Sequence, residues 1–316
     1  MMRRAAFATL VFVLGAMTGA VDAGAQSLRE QCAGAATGGL AYCESLADAA
    51  VTLPARLAIA ATGGNPVAGT ASTLGMRVPG SPRWSLALRS TIARASLPPI
   101  GDERAVRPTL WSVNADATVG LFNGFNVAPT IGGFGSLDVL GSIGVLGVPD
   151  GDGFERSSPL TWALGARVGI LRESFTAPGV SASAMYRSLP DIEFGEPVPG
   201  PYFENAGQSV LSLRGTVGKR ILGLGLTAGV GYDRTDSDVR ARFDEPGPIF
   251  PNPVDIAERD LTFGRTSFFG NVSYTILILN MAAELGWQES GTSPGAAHDD
   301  TGKGGLFGGV AVRLAI

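Results

Sequence analysis

The chain has 316 residues and a formal charge of −4, and only 16% of its residues are charged, against a usual quarter. A mildly acidic balance excludes a basic nucleic-acid-binding surface, so no nucleic-acid partner is expected. Glycine, at 45 residues, is about twice its average share of roughly 7%. Beyond the first 25 residues no apolar run reaches the roughly 18 residues that a membrane-spanning helix requires, so helical spans do not explain the low charge.

Arg3 and Arg4 precede an apolar run that ends near Ala20, followed by Ala23-Gly24-Ala25. A basic start, an apolar centre and a small-x-small site together read as a secretory signal peptide, residues 1–25, cut before Gln26. Its removal leaves 22 basic and 27 acidic residues, a net charge of −5. The two cysteines, Cys32 and Cys43, then lie in an oxidising compartment, where one local disulfide is the expectation. A metal site on two thiols without a nearby histidine is a poor alternative. Residues 26–53 are Ala-rich without period-two alternation. A short helix over Glu44–Val51, stopped by Pro54, fits a periplasmic segment, a plug inside a barrel, or an unstructured tail.

From residue 54 to 316, strand-like runs follow one another, at 54–62, 69–78, 83–95, 108–122, 132–146, 159–173, 179–190, 207–219, 222–242, 258–275, 279–290 and 303–316. The clearest lies in 222–232. Leu222, Leu224, Leu226, Ala228, Val230 and Tyr232 share one side, and Gly223, Gly225, Thr227, Gly229 and Gly231 the other. This is the period of a strand. Similar rows start from Trp84, Trp111, Trp162, Leu211 and Leu279.

Opposite those apolar rows stand Arg77, Arg89, Asp116, Asp138, Arg167, Arg187, Arg214, Asp233, Glu284 and Arg313. An Arg facing lipid at mid-bilayer costs roughly 2–4 kcal/mol, and several would exceed the roughly 5–15 kcal/mol stability of a domain. These side chains must face a polar interior. Gly225 and Gly229 belong to the same lumen-facing set, where their bareness marks a wide path or the resting place of a plug.

Links of a few residues alternate with longer ones, the order of periplasmic turns and extracellular loops. The parity predicts an all-β fold, a transmembrane antiparallel up-and-down barrel of about twelve strands, with ten to fourteen inside the range. A soluble sandwich or propeller fits less well, given strands of ten or more residues, outward aromatics near strand ends and the absence of a blade-length repeat.

From the basic start through the final Gly-Gly-Val-Ala-Val-Arg-Leu-Ala-Ile strand, the chain resembles bacterial outer-membrane β-barrel proteins as a class, with no characterised family singled out. The resemblance implies a Gram-negative-type cell outer membrane, contact with lipid bilayer and lipopolysaccharide, and handling by the outer-membrane assembly machinery. Such proteins usually end in an aromatic residue. This chain ends in Ile316, and Phe307 is the nearest aromatic.

Enzymatic barrels of this class use histidine. The single histidine here, His298, lies beside Asp299 and Asp300 in a loop of Gly, Ser, Pro and Thr, where a solvated side chain is expected and not a general base. Asp150-Gly151-Asp152-Gly153 is a fragment of a calcium loop without the distant bidentate Glu, and reads as a Gly-rich turn. Acidic loop residues such as Glu196, Asp244 and Glu245 suit solubility, cation attraction or divalent bridging to lipopolysaccharide phosphates equally. No catalytic residue, metal or cofactor is expected. The resulting function is a porin-like channel or passive transporter for small solutes, hydrophobic ones included. The competing function is a structural or adhesive barrel with extracellular binding loops, and an outer-membrane hydrolase ranks third.

Overall fold

The computed structural model describes residues 23–37, 40–77, 80–97, 107–126, 132–148, 154–156, 159–195, 201–243, 251–289 and 304–315. The remaining positions include most of the expected signal peptide, Asp150–Gly153, Glu196, Asp244, Glu245, His298 and Ile316, so those expectations lie outside the described residues. Two helices come first, α1 (Ala23–Ala35) and α2 (Leu40–Thr62). A two-residue hairpin follows, β1 (Met76–Arg77) with β2 (Ser81–Pro82).

The ring is made of ten strands. These are β3 (Trp84–Arg94), β4 (Thr109–Phe122), β5 (Ser136–Gly147), β7 (Leu160–Leu171), β8 (Gly179–Ser188), β10 (Pro201–Ile221), β11 (Leu224–Phe243), β12 (Val254–Ile276), β13 (Leu279–Gln288) and β14 (Gly305–Ala315). Every pairing is antiparallel, β14 pairs with β3, and the β10–β11 ladder completes the closure. Two short strands, β6 (Phe154–Arg156) and β9 (Ile192–Gly195), extend the sheet beside the far end of β10.

The barrel expected from alternation is therefore present, at the lower end of the expected range. The difference from twelve lies in the first two runs. Residues 54–62 are the second half of α2, and the described part of 69–78 is irregular inside the ring until it leaves through the Met76–Arg77 strand. The barrel wall starts at Trp84, not at residue 54. The run 54–62 is short and mostly Ala, Leu and Ile around Arg56, too short for periodicity to divide strand from buried helix. Pro54 does not stop α2. Packing overrides its local preference, and Gln208 Nε2 donates to the Pro54 carbonyl at 2.8 Å.

The turn of the glycine-rich hairpin also shifts slightly. Leu222 and Gly223 form it, with φ of 50° and 88°, and the strand begins at Leu224. The outward row of β11 stays apolar from Leu224 to Tyr232 and then becomes Arg234, Asp236, Asp238, Arg240 and Arg242. That switch marks the outer edge of the lipid-facing belt. Outward aromatics sit at both edges, Trp111, Trp162, Tyr186 and Trp287 at one and Trp84 and Tyr274 at the other. An apolar outside around a polar-lined inside is the architecture of an outer-membrane barrel. Strands β10, β11 and β12, with 21, 20 and 23 residues, project well past that edge on the side away from the short turns.

Candidate functional site, the occupied lumen

The N-terminal segment threads the barrel from end to end. Helix α1 packs on β12 near the projecting, extracellular edge, where Gln31 Nε2 donates to Glu258 at 3.0 Å. Cys32 and Cys43 form a disulfide that ties α1 to α2, and both are fully buried. Helix α2 then descends. From Leu46 to Ala61 nearly every residue is buried, in one apolar cluster with wall residues that include Leu110, Leu146, Val210, Ile256, Phe263 and Phe307. The buried Arg56 donates to Gln288 Oε1 at 3.1 Å, and a helix otherwise so apolar needs such an enclosure.

The helix ends near the middle of the barrel, and its end engages two of the expected lumen residues, Arg89 and Arg214. The last carbonyls of a helix lack intrahelical partners. Gly63, at φ 62°, closes the final turn by donating to Ile59 O at 2.9 Å. The wall supplies the rest. Ser112 Oγ donates to Ala60 O at 2.7 Å, Asn114 Nδ2 to Ala61 O at 3.3 Å, and Arg89 Nη1 to Thr62 O at 3.1 Å. Arg214 donates to Gly63 O and Gly64 O at 3.1 and 3.0 Å, and Arg89 reaches Asn65 O at 3.1 Å. Two cations also complement the negative end of the helix dipole.

Acidic wall residues take the amides that follow. Glu284 accepts from Gly64 N and Asn65 N at 2.7 and 2.8 Å. Asp138 accepts from Leu74 N at 3.0 Å and pairs with Arg167 at 2.6 Å. Asn123 Oδ1 accepts from Met76 N at 2.6 Å as the segment leaves the periplasmic end.

Most of the remaining charges are held by side chains of the wall. Asp233 pairs with Arg214 at 2.8 Å and accepts from Ser212 Oγ at 2.7 Å, and Asp116 lies 3.2 Å from Arg89 Nε. Arg187 donates to Asn114, Thr161 and Ser142 at 3.2–3.3 Å. Arg313 is buried on the same inner face. Arg77 is the exception, because it lies exposed in the short hairpin below the ring, outside the wall.

The glycine row makes room for contents and not for a path. A Cβ at Gly229 would fall 2.4 Å from the ring of Phe269, which also lies against Gly64. At Gly225 it would meet Ser273 at 2.4 Å, with Gly69 O just beyond at 3.7 Å. The closest approach of backbone to backbone, Gly120 to Gly75, was not singled out from sequence. Nor were Ser112, Asn114 and Asn123. The first two share the polar face of β4, and position on that face was their only signal. Between Gly64 and Arg187 the described residues leave only a water-sized gap.

No family model matches the chain, and no curated protein matches it. Solved structures that resemble it are outer-membrane barrels of several kinds. The translocator domain of the autotransporter NalP from Neisseria meningitidis is 11% identical, with 85% of this chain and 97% of that chain covered and a TM-score of 0.45. The outer membrane protease OmpT from Escherichia coli is 13% identical, covering 74% and 94% with a TM-score of 0.34. The Ralstonia pickettii toluene transporter TbuX is 11% identical, covering 78% and 91% with a TM-score of 0.32. At these scores the likenesses do not choose among activities.

Proposed function

We propose that the protein is a sealed outer-membrane barrel that acts from its extracellular end, as a structural or adhesive scaffold. The observation that carries this reading is the set of wall side chains on the end of α2. Every carbonyl from Ala60 to Asn65 is met by a wall donor, the six sharing Ser112, Asn114, Arg89 and Arg214. Against water each such bond is worth about 0.5–1.5 kcal/mol net, and about 1.5–3 where an arginine donates, so withdrawing the plug opposes several such terms at once. Passive transport of small solutes, the first expectation from the sequence, would require that network to open. The working surface in this reading is the projecting part of β10, β11 and β12 together with the disulfide-tied helices. The reading assigns the chain no catalysis and no cofactor.

Planar-bilayer recording of the full chain tests it. The expected record is flat, whereas the Arg89→Ala/Arg214→Ala double variant flickers open because the plug, and not ring size, does the sealing. Stable conductance steps from the unaltered protein would overturn the proposal.

A further inference from the structure

The periplasmic turns carry large apolar side chains that nothing in the fold covers. Phe175 is 100% exposed, Leu222 99% and Leu277 93%, one in each of three separate strand connections. Leu222 and Leu277 also have φ of 50° and 55°, a left-handed conformation that residues other than Gly, Asn and Asp rarely adopt. Those turn positions favour Gly or Asn, yet leucine occupies both.

The height of the lipid-facing belt explains why. On β11 the outward apolar row spans nine residues, Leu224 to Tyr232, and Arg234 ends it on the extracellular side. On β13 the row from Leu279 to Trp287 has the same length. At about 3.4 Å per residue and a tilt of about 40°, nine residues rise roughly 20 Å, whereas the apolar band of such barrels is about 25 Å tall. The extracellular side cannot supply the difference, because charges begin there. The turns can. Leu222 follows directly on the β11 row, and Leu277 on the outward row of β12, which ends at Ile276.

The same end of the barrel is basic. Arg77, Arg83 and Arg220 are exposed there, and Lys219 Nζ donates to the carbonyls of Phe175 and Ala177 at 2.8 and 3.2 Å. Glu173, which accepts from the Arg220 amide, is the acidic residue among them. Apolar prongs beside exposed cations match one kind of surface, acyl chains under anionic headgroups.

We infer that the periplasmic rim is a lipid-binding collar, in which Leu222, Leu277 and Phe175 enter the inner leaflet while Arg77, Arg83 and Arg220 hold anionic phospholipid headgroups. The inference is independent of whether the lumen conducts.

The test uses the full chain, with its disulfide intact, refolded into phosphatidylcholine vesicles containing one part in five of phosphatidylglycerol. A nitroxide on Leu222→Cys should be relaxed more by oxygen than by a water-soluble nickel chelate, and a nitroxide on Arg234→Cys should show the reverse. Spin-labelled phosphatidylglycerol should associate about twofold or more over spin-labelled phosphatidylcholine. The Arg77→Gln/Arg83→Gln/Arg220→Gln variant should bring that ratio to about one while the Leu222→Cys label stays in lipid. A water-exposed label at 222, or equal association of both lipids with the unaltered protein, overturns the inference. So does a label that is wet in vesicles but shielded in whole envelopes, which would assign the turns to a periplasmic protein.

Discussion

The two halves of the lumen are filled by one continuous segment yet are held largely by different means, the extracellular half having a few polar bonds from Gln208, Gln288 and Arg56 within an apolar cluster. In the extracellular half, α2 presents Leu46, Leu53, Leu57 and Ile59 to aliphatic and aromatic wall residues, as in the core of a soluble protein. In the periplasmic half, residues 62–75 meet Arg89, Asp138, Arg214 and Glu284. The difference follows from the backbone. A helix satisfies its own amides and carbonyls except at its ends, so its wall can be apolar. The segment after Gly63 has few internal hydrogen bonds, so its wall must supply donors and acceptors. Arg89, Arg214, Glu284 and Asp138 are thus partners of a backbone, arranged from where the helix stops. Charge on the inner face of a strand, which reads as the lining of an aqueous path, here marks the reverse.

The largest effect expected from this contrast is at Arg214. Its removal leaves the Gly63 and Gly64 carbonyls without donors and Asp233 without its cation, all in a buried setting. Breaking a buried pair on one side costs roughly 3–5 kcal/mol. Arg214→Ala should lower the urea midpoint of the refolded protein by a corresponding amount and make residues 62–75 sensitive to protease. Arg214→Lys should recover only part of the loss, because one ammonium cannot replace the planar fork.

In the extracellular half the matching change is Leu57→Ala. It removes a fully buried side chain from an apolar wall and leaves no polar group stranded, so the expected cost is about 2–4 kcal/mol. Its protease sensitivity should map to α2 and spare residues 63–75. If Leu57→Ala exposed the lower segment more than Arg214→Ala does, the plug would unfold as a single unit and the distinction between halves would fail.

The wall of both halves was legible in the sequence, whereas the occupant was legible only as one of several readings of residues 26–53 and not as the helix and segment over 54–75. Ten strand-like runs correspond to the ten strands of the ring, because one face meets lipid and the other does not, and that difference imposes period two. The side of each strand that carries Arg89, Asp116, Arg167 and Arg214 could be assigned for the same reason. Inside the barrel no such boundary exists. Helix α2 is buried on nearly every side, so Ala55–Ala61 carries no period by which to tell helix from strand, and Pro54 argues for a break that does not occur. Residues 63–75 depend on partners far away in sequence. Glu284 and Gly64 are 220 positions apart, and no local pattern joins them.

A second Arg–Asp pair on the projecting sheet isolates burial as the deciding variable. Arg240 on β11 and Asp255 on β12 are matched in chemistry to Arg214 and Asp233, but their side chains are 46% and 42% exposed against 3% and 1%. Hydrogen bonding from Arg240 holds the Asp255 carboxyl below its usual value, and nearby Arg242 adds to the shift. A carboxyl with a depressed folded pKa contributes stability above its unfolded pKa, near 3.9, and loses that contribution as pH falls through the folded value. The unaltered protein should therefore lose slightly more stability between pH 7 and pH 3 than Asp255→Asn does. Solvent screening at this exposure limits the difference to about 1 kcal/mol or less. Paired urea titrations at the two pH values, with Asp255→Asn beside the unaltered chain, would resolve it. A difference as large as the loss in Arg214→Ala would mean that the projecting sheet shields its ion pairs as the lumen does, and burial would no longer separate the two.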